Sequence, residues 1–322
     1  MTALSAPAPR TLAGGAGLAA LITAPETALV ALDYDGTLSP IVSRPSDAVP
    51  APGAVDALRM LAGRVGTCAI ITGRPVDAVL ELAGLVPGAT SRGTRPAGTG
   101  GGASSGSSSS GSSSGGRAKG DAPGSTAAGR AFPSLTNLMV IGQYGLQRWD
   151  AATGATTSPE PLPGVAVVRA QLPEVLRDAP PGVTVEDKVQ ALVVHVRRAA
   201  DPDAALGALA PALRRLAEDN GLEAAPGKKV LELRPPGHDK GRALRELVEK
   251  RAARSVLVAG DDLGDLPAFD AVDELRAAGI AGLTICSDGP EVPASLRDRA
   301  DLVVDGPAGV VALLRVLTDR FR

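Results

Sequence analysis

Over the first third of the chain, short runs that are apolar at every position alternate with segments of helical spacing. Ala28–Leu32 reads as a strand buried on both faces, and it runs straight into acid at Asp33. Pro52–Val65 places Val55, Leu58, Leu61 and Ala62 on one face of a helix. Cys68–Ile71 is a second buried strand, and Pro75 opens a further helix at a position where proline is tolerated. Leu138–Ile141 is a third such run. Strands apolar on both faces, spaced by helices, predict a parallel sheet covered on both sides.

The pattern changes between Arg148 and Pro236. Thr184–Asp187, Ala191–Arg197 and Val230–Arg234 read as one-sided strands, with helices predicted over Val165–Leu176 and Asp201–Asn220. That combination suits a small antiparallel sheet with one open face. Buried strands return after Lys240: a helix to Arg251, a strand at Val256–Ala259, a helix at Leu266–Ala278 and a strand at Leu283–Cys286. A short strand at Leu302–Val304 and a helix at Gly309–Leu317 follow. The expected fold class is α/β, a doubly wound parallel (Rossmann-like) sheet with an inserted α/β domain containing an antiparallel sheet. Residues 1–146 and 236–322 would form the core and 147–235 the inserted domain. Residues 98–116 are Gly or Ser except Thr99 and Ala103. With no apolar side chains to offset ordering entropy, the surrounding segment 91–131 is expected to be a flexible insert.

Composition narrows the function. At ~150 residues per domain, 322 residues suggest two domains, and 44% hydrophobic with 21% charged residues suits a globular chain. A net charge of −2 offers no broad basic surface, so nucleic acid is not an expected partner. The aromatics are only Tyr34, Phe132, Tyr144, Trp149, Phe269 and Phe321, too few for stacked-ring platforms. Two histidines (His195, His238) and two cysteines (Cys68, Cys286) cannot build the usual zinc sites or a disulfide framework. A reducing cytoplasm is therefore expected, and any metal should be hard and oxygen-bound. Thr11–Ile22 is mildly apolar behind Arg10, but Gly14, Gly15 and Gly17 interrupt it, so an amphipathic first helix is expected rather than a signal peptide. No apolar run reaches the ~18 residues of a membrane span, so no membrane is expected.

In open α/β sheets ligands bind beyond the carboxyl ends of the strands. Strand one is followed by Asp33-Tyr34-Asp35-Gly36-Thr37, strand two by Thr72-Gly73-Arg74, and the strand after Lys240 by Gly260-Asp261-Asp262-Leu263-Gly264-Asp265. Carboxylates, a hydroxyl and an ammonium thus converge on one edge. Carboxylates so gathered repel unless a cation neutralises them, and Mg²⁺ takes carboxylates together with phosphate oxygens. An aspartate can attack phosphorus, and an acid two residues on projects to the same side and can protonate the leaving oxygen. Gly36 permits a sharp turn, and free backbone N–H groups nearby can hold phosphate oxygens. Each motif has a bland reading when taken alone: an Asx turn, a helix cap, a solvated lysine, acids at a helix start. Their joint order at successive strand ends favours phosphoryl transfer. Cys68 and Arg74 also match the Cys-x5-Arg spacing of cysteine phosphatases. Ala69, Ile70 and Ile71 continue a buried strand, however, which would bury the thiol and keep it inert.

These motifs resemble the haloacid dehalogenase superfamily, and within it the trehalose-6-phosphate phosphatase family, over nearly all of residues 20–320 outside the Gly/Ser tract. The strings that carry the closer resemblance are Asp33–Pro40, Ile71–Arg74, Gly142–Leu146, Glu186–Lys188, His195–Arg197 and Gly227–Glu232. The resemblance implies a Mg²⁺-dependent hydrolysis of trehalose 6-phosphate, the last step of trehalose biosynthesis, by a core with a substrate-specifying cap. It implies Asp33 as nucleophile and metal ligand, and Asp35 as general acid and base offering its backbone carbonyl to the metal. Thr72 and Lys240 would hold the phosphoryl oxygens, and Asp261, Asp262 and Asp265 would complete or support the metal site. Gly36, Thr37, Gly73 and Arg74 are expected to bind substrate beside them. In the cap, Glu186 and Lys188 would hydrogen-bond glucose hydroxyls with help from Lys228 and Glu232, which fits the shortage of aromatics. Two positions depart from the family pattern: Tyr144 stands where many relatives carry His, and Gln147 where they carry an acid. The expected partner is the small-molecule substrate alone, acting on a monomer. A phosphatase for another sugar phosphate, a silent sugar-phosphate sensor and a phosphomutase are the alternatives.

Overall fold

The computed structural model describes residues 8–85 and 135–321, so the Gly/Ser-rich segment 91–131 lies outside the described residues. The large sheet begins with β1 (Ala28–Leu32), β2 (Thr67–Ile71) and β3 (Leu138–Gly142), continues through β4 (Gln147–Asp150) and β5 (Ala155–Thr157), and closes with β10 (Ser255–Gly260), β11 (Ala281–Asp288) and β12 (Leu302–Asp305). Its order is β12-β11-β10-β1-β2-β3-β4-β5. All neighbours pair parallel except β3–β4 and β4–β5. From β1 the chain winds outward through β2 and β3, and it returns on the other side of β1 through β10. The strand order therefore reverses between β1 and β10, and a crevice opens there at the carboxyl ends, the usual ligand position in such sheets.

Continuous apolar strands follow from having a covered surface on each side. Ala28, Val30 and Leu32 of β1 pack in one cluster with α2 (Ala54–Ala62), α3 (Val76–Leu82) and α9 (Gly306–Arg320). Leu29 and Ala31 point to the other cluster, with α6 (Lys240–Arg251) and α7 (Leu266–Ala277). Helix α2 starts at Ala54 rather than at Pro52, because Gly53 takes a left-handed φ of 80° and its absent Cβ leaves room for Arg315. The first helix, α1 (Leu12–Thr23), is present but is not amphipathic in the expected sense. Its buried face is Gly14, Gly17 and Leu21, and a Cβ on Gly17 would lie 1.9 Å from the Gly282 carbonyl oxygen of β11. The glycines that interrupt the apolar run are thus where the helix meets the strand. No helix among the described residues is long and apolar enough to cross a membrane.

The small sheet holds β6 (Thr184–Asp187), β7 (Leu192–His195), β8 (Glu223–Gly227) and β9 (Val230–Arg234) in the order β6-β7-β9-β8, antiparallel throughout. Helices α4 (Pro163–Val175) and α5 (Pro202–Glu218) cover one face, where Leu192, Val194, Leu231 and Leu233 meet Val168, Leu172 and Leu213. Alternation turns Glu186, His195, Glu232 and Arg234 to the open face. The boundary expected after residue 146 does not coincide with a change of sheet. β4 and β5 are antiparallel, but they extend the large sheet from β3, and the small sheet begins only at Thr184.

Candidate active site

The segment after β1 folds back on itself. Asp33 N–H donates to Ala259 O of β10 (3.0 Å), and Leu38 and Ser39 N–H both donate to Tyr34 O (2.9 and 2.8 Å). The Tyr34 hydroxyl donates to Ala48 O at 2.9 Å and pins the loop that follows. Gly36 makes the turn at φ 80°, and a Cβ there would lie 2.1 Å from the Asp261 carboxylate. Only glycine satisfies both demands. Ser287 at the end of β11 donates to Gly36 O at 2.6 Å, tying the turn to the neighbouring strand.

Asp33, Asp261 and Asp265, all buried, bring carboxylate oxygens within 4.8 Å of one another. Lys240, at the first position of α6, lies 2.7 Å from Asp33 Oδ1 and 2.7 Å from Asp265 Oδ1. Asp265 is spent on organising its neighbours, since its Oδ2 accepts from Asp261 N–H (2.9 Å) and Asp262 N–H (3.1 Å). Asp262 caps the following turn by accepting from Gly264 N–H at 2.8 Å. Asp261 accepts from Lys228 Nζ at 3.0 Å through Oδ2, while its buried Oδ1 has no partner.

Burial raises the Asp33 carboxyl well above its ordinary range, and the Asp265, Asp261 and Asp262 carboxylates add to this while Lys240 opposes it. Burial, with Asp265 and Asp262, pushes Asp261 up to about 7 against the pull of Lys228. Crowded carboxylates of raised pKa, together with an orphaned buried oxygen at Asp261, are what a hard divalent cation would relieve. The donor set therefore fits such an ion, with Asp33 and Asp261 as its best-placed carboxylates.

Thr72 directly follows β2, buried, with its Oγ1 accepting from Arg74 N–H at 3.2 Å. Arg74 grips Asp35 through Nε (2.6 Å) and Nη2 (2.7 Å), a bidentate pair that engages both Asp35 carboxylate oxygens. A Cβ on Gly73 would strike the Tyr144 hydroxyl oxygen at 2.5 Å. Tyr144, itself at φ 56°, lies under the Arg234 guanidinium with the charge 4.2 Å from the ring centre. The neighbouring Gln147 Oε1 accepts from Val76 N–H at 2.9 Å, so Tyr144 and Gln147 perform packing and capping duties here.

A cavity of about 660 Å³ separates this edge from the open face of the small sheet. Asp33, Asp35, Thr72, Gly73, Arg74, Lys240 and Asp262 line it from the core; Glu186, Lys188 and Lys228 line it from the other side. Lys188 Nζ donates across the gap to Gly73 O (2.9 Å) and to Glu232 Oε1 (3.1 Å). Gly36, Thr37, Asp261, Asp265 and Glu232 lie behind the lining, with the Thr37 hydroxyl fully buried and unpartnered. The Asp35 and Asp262 side chains stand outside the three-carboxylate cluster.

Several contacts carry no sequence signal. Gln143, at φ 49°, donates to Lys188 O. Arg197 pairs with Glu291 at 3.2 Å, and His195 Nε2 lies 2.9 Å from Glu186 Oε2. The first two join segments far apart in the chain; the third is a diagonal across two strands. Cys68 is fully buried in β2, its thiol pushed up to about 12 by burial, which removes it as a nucleophile.

A buried acid cluster with a lysine thus sits at the switch point of a doubly wound sheet, faced by a second small sheet. The fold is similar to that of a haloacid dehalogenase-like hydrolase from Bacteroides thetaiotaomicron, with a TM-score of 0.54 at 14% identity, covering 89% of this chain and 98% of that one. The C-terminal domain of the Candida albicans trehalose-6-phosphate phosphatase is similar over 98% of this chain and 99% of its own, with a TM-score of 0.68 at 19% identity. The sequence model of the trehalose-phosphatase family matches residues 31–89 and 125–301, and the chain belongs to that family. The trehalose-phosphate phosphatase of Mycobacterium marinum is 32% identical over 257 residues, 78% of this chain. The chain spans about half the length of that relative, 53%.

Proposed function

We propose that this chain hydrolyses trehalose 6-phosphate to trehalose and phosphate, with Asp33 as nucleophile and Mg²⁺ as its ion. The observation that carries this reading is the position of Asp33, on the wall of a cavity whose far side is lined by Glu186, Lys188 and Lys228. The cavity volume is in the range of small-molecule sites, and a lining with many charged side chains and Tyr144 as its one aromatic suits a polyol better than a planar ring.

Asp33 Oδ attacks phosphorus as the bond to the sugar oxygen breaks, and Asp35 gives that oxygen its proton. Water then attacks phosphorus as Asp35 takes its proton, the bond from phosphorus to Asp33 breaks, and inorganic phosphate departs from the regenerated Asp33 carboxylate. Lys240, with Thr72, holds the phosphoryl oxygens and keeps Asp33 oriented from 2.7 Å. Arg74 must yield Asp35 for either proton transfer, and the entering phosphate offers it an alternative anion. Bound near Asp33 and Asp261, with Asp35 O, Asp262 and Asp265 in support, the divalent ion supplies charge neutralisation of the phosphoryl group. Glu186, Lys188 and Lys228 take the sugar hydroxyls, Glu232 helps by holding Lys188 from behind at 3.1 Å, and Gly36, Thr37 and Gly73 shape the phosphate end. The cap is the part between the two halves of the large sheet, and the cytoplasm is the proposed compartment, in keeping with the two free, buried thiols.

Phosphate release from trehalose 6-phosphate, with glucose 6-phosphate, sucrose 6-phosphate and a phosphoglycerate sugar ester as comparators, tests this directly. Preference for trehalose 6-phosphate, lost on chelation and restored by Mg²⁺, is the expected result. Preference for another ester would overturn the substrate; no release from any of them would overturn the enzyme.

A further inference from the structure

We propose that His195 is a positioning residue that fixes Glu186 for the sugar and so sets substrate affinity, an inference that rests on the sugar-phosphate reading of the cavity. Glu186 stands on β6, the edge strand of the small sheet, with a side chain about a third exposed. A long carboxylate on an edge strand has little to hold its rotamer. His195 stands on β7, which is paired on both sides, by β6 and by β9. The preceding Val194 is fully buried against α4 and α5. His195 is therefore anchored where Glu186 is not.

The register places the two residues together. Glu186 is opposite Val193 and His195 is opposite Thr184, so they form a diagonal pair on the open face. His195 Nε2 meets Glu186 Oε2 at 2.9 Å, which occupies one carboxylate oxygen and leaves Oε1 for a hydroxyl. The same hydrogen bond is the main cause that lowers the Glu186 pKa, with Lys188 and Arg74 contributing. Both residues line the cavity, and His195 Nε2 is committed to the carboxylate, so His195 acts through Glu186.

The test is steady-state kinetics on trehalose 6-phosphate with His195→Phe, His195→Gln, Glu186→Ala and the Glu186→Ala/His195→Phe pair. His195→Phe should raise KM about tenfold with less than about a threefold fall in kcat, the scale of losing one charge-assisted hydrogen bond. His195→Gln, which keeps an N–H donor, should recover most of that loss. In the double variant KM should match Glu186→Ala within about twofold, because the histidine has nothing left to position. His195→Ser replaces His195→Phe if the latter does not fold. If Glu186→Ala raises KM while His195→Phe and His195→Ser leave it at the wild-type value, the positioning role is overturned and the sugar-phosphate reading stands. Additive losses in the double variant would likewise overturn the positioning role alone. If Glu186→Ala leaves KM unchanged, the sugar-binding reading of this face falls, and the inference with it.

Discussion

β1, β2, β3 and β10 are buried at every position, whereas β6, β7 and β9 bury one face on α4 and α5 and turn the other toward the cavity. In those four strands of the large sheet no residue is free to do chemistry, so the reactive groups sit just past the strand ends, at Asp33, Thr72 and Asp261. In the small sheet the functional candidates lie within the strands themselves, at Glu186, His195 and Glu232. One region delivers groups by where chains stop; the other presents them by alternation. The first arrangement is rigid and suits bond making, and the second is a surface that can be altered residue by residue without disturbing a core.

That contrast makes a testable division: changes at the large sheet's edge should fall on kcat, and changes on the open face should fall on KM. The largest effect expected is from Asp33→Asn, a loss of about 10⁴ in kcat with the thermal midpoint retained, read by phosphate release and by thermal unfolding. Lys240 would keep its bond to Asp265 in that variant. Lys240→Met should cost about 10³ in kcat. It should also cost about 3–5 kcal/mol of stability in urea unfolding, because two buried carboxylates would lose their shared counter-charge. Gly36→Ala should lower kcat about 10²-fold by displacing Asp261, which a crystal structure of the variant would show as a shifted carboxylate. Lys188→Met should raise KM about tenfold with a small change in kcat, since it removes the link from Glu232 to Gly73. A kcat loss as deep as that of Lys240→Met would break the division. Smallest of all, Cys68→Ala should leave turnover intact, and the folded protein should resist thiol alkylation at pH 8, given a thiol pushed up to about 12.

The same contrast explains what could be read from the chain before its structure. Ala28–Leu32 and Cys68–Ile71 announce themselves because two covered faces demand unbroken apolar residues, and parallel strands bring whatever follows them to one edge. Asp33, Thr72 and Asp261 were legible for that reason. β5 and β8 were not, since Ala155–Thr157 is exposed throughout and Glu223–Gly227 contains Pro226, tolerated only because β8 is an edge strand. The pattern of β4 indicates a half-covered strand but holds no information on which sheet it joins. The grip of Arg74 on Asp35 was also invisible, because residues 39 positions apart meet only through the loop that Gly36 and Tyr34 shape.

Burial raises the pKa of Asp33, Asp261 and Asp262 together, with Lys240 and Lys228 as their counter-charges. A cation bound beside them would favour the deprotonated carboxylates, so loading the ion would release protons to solvent and its apparent affinity would climb as pH rises.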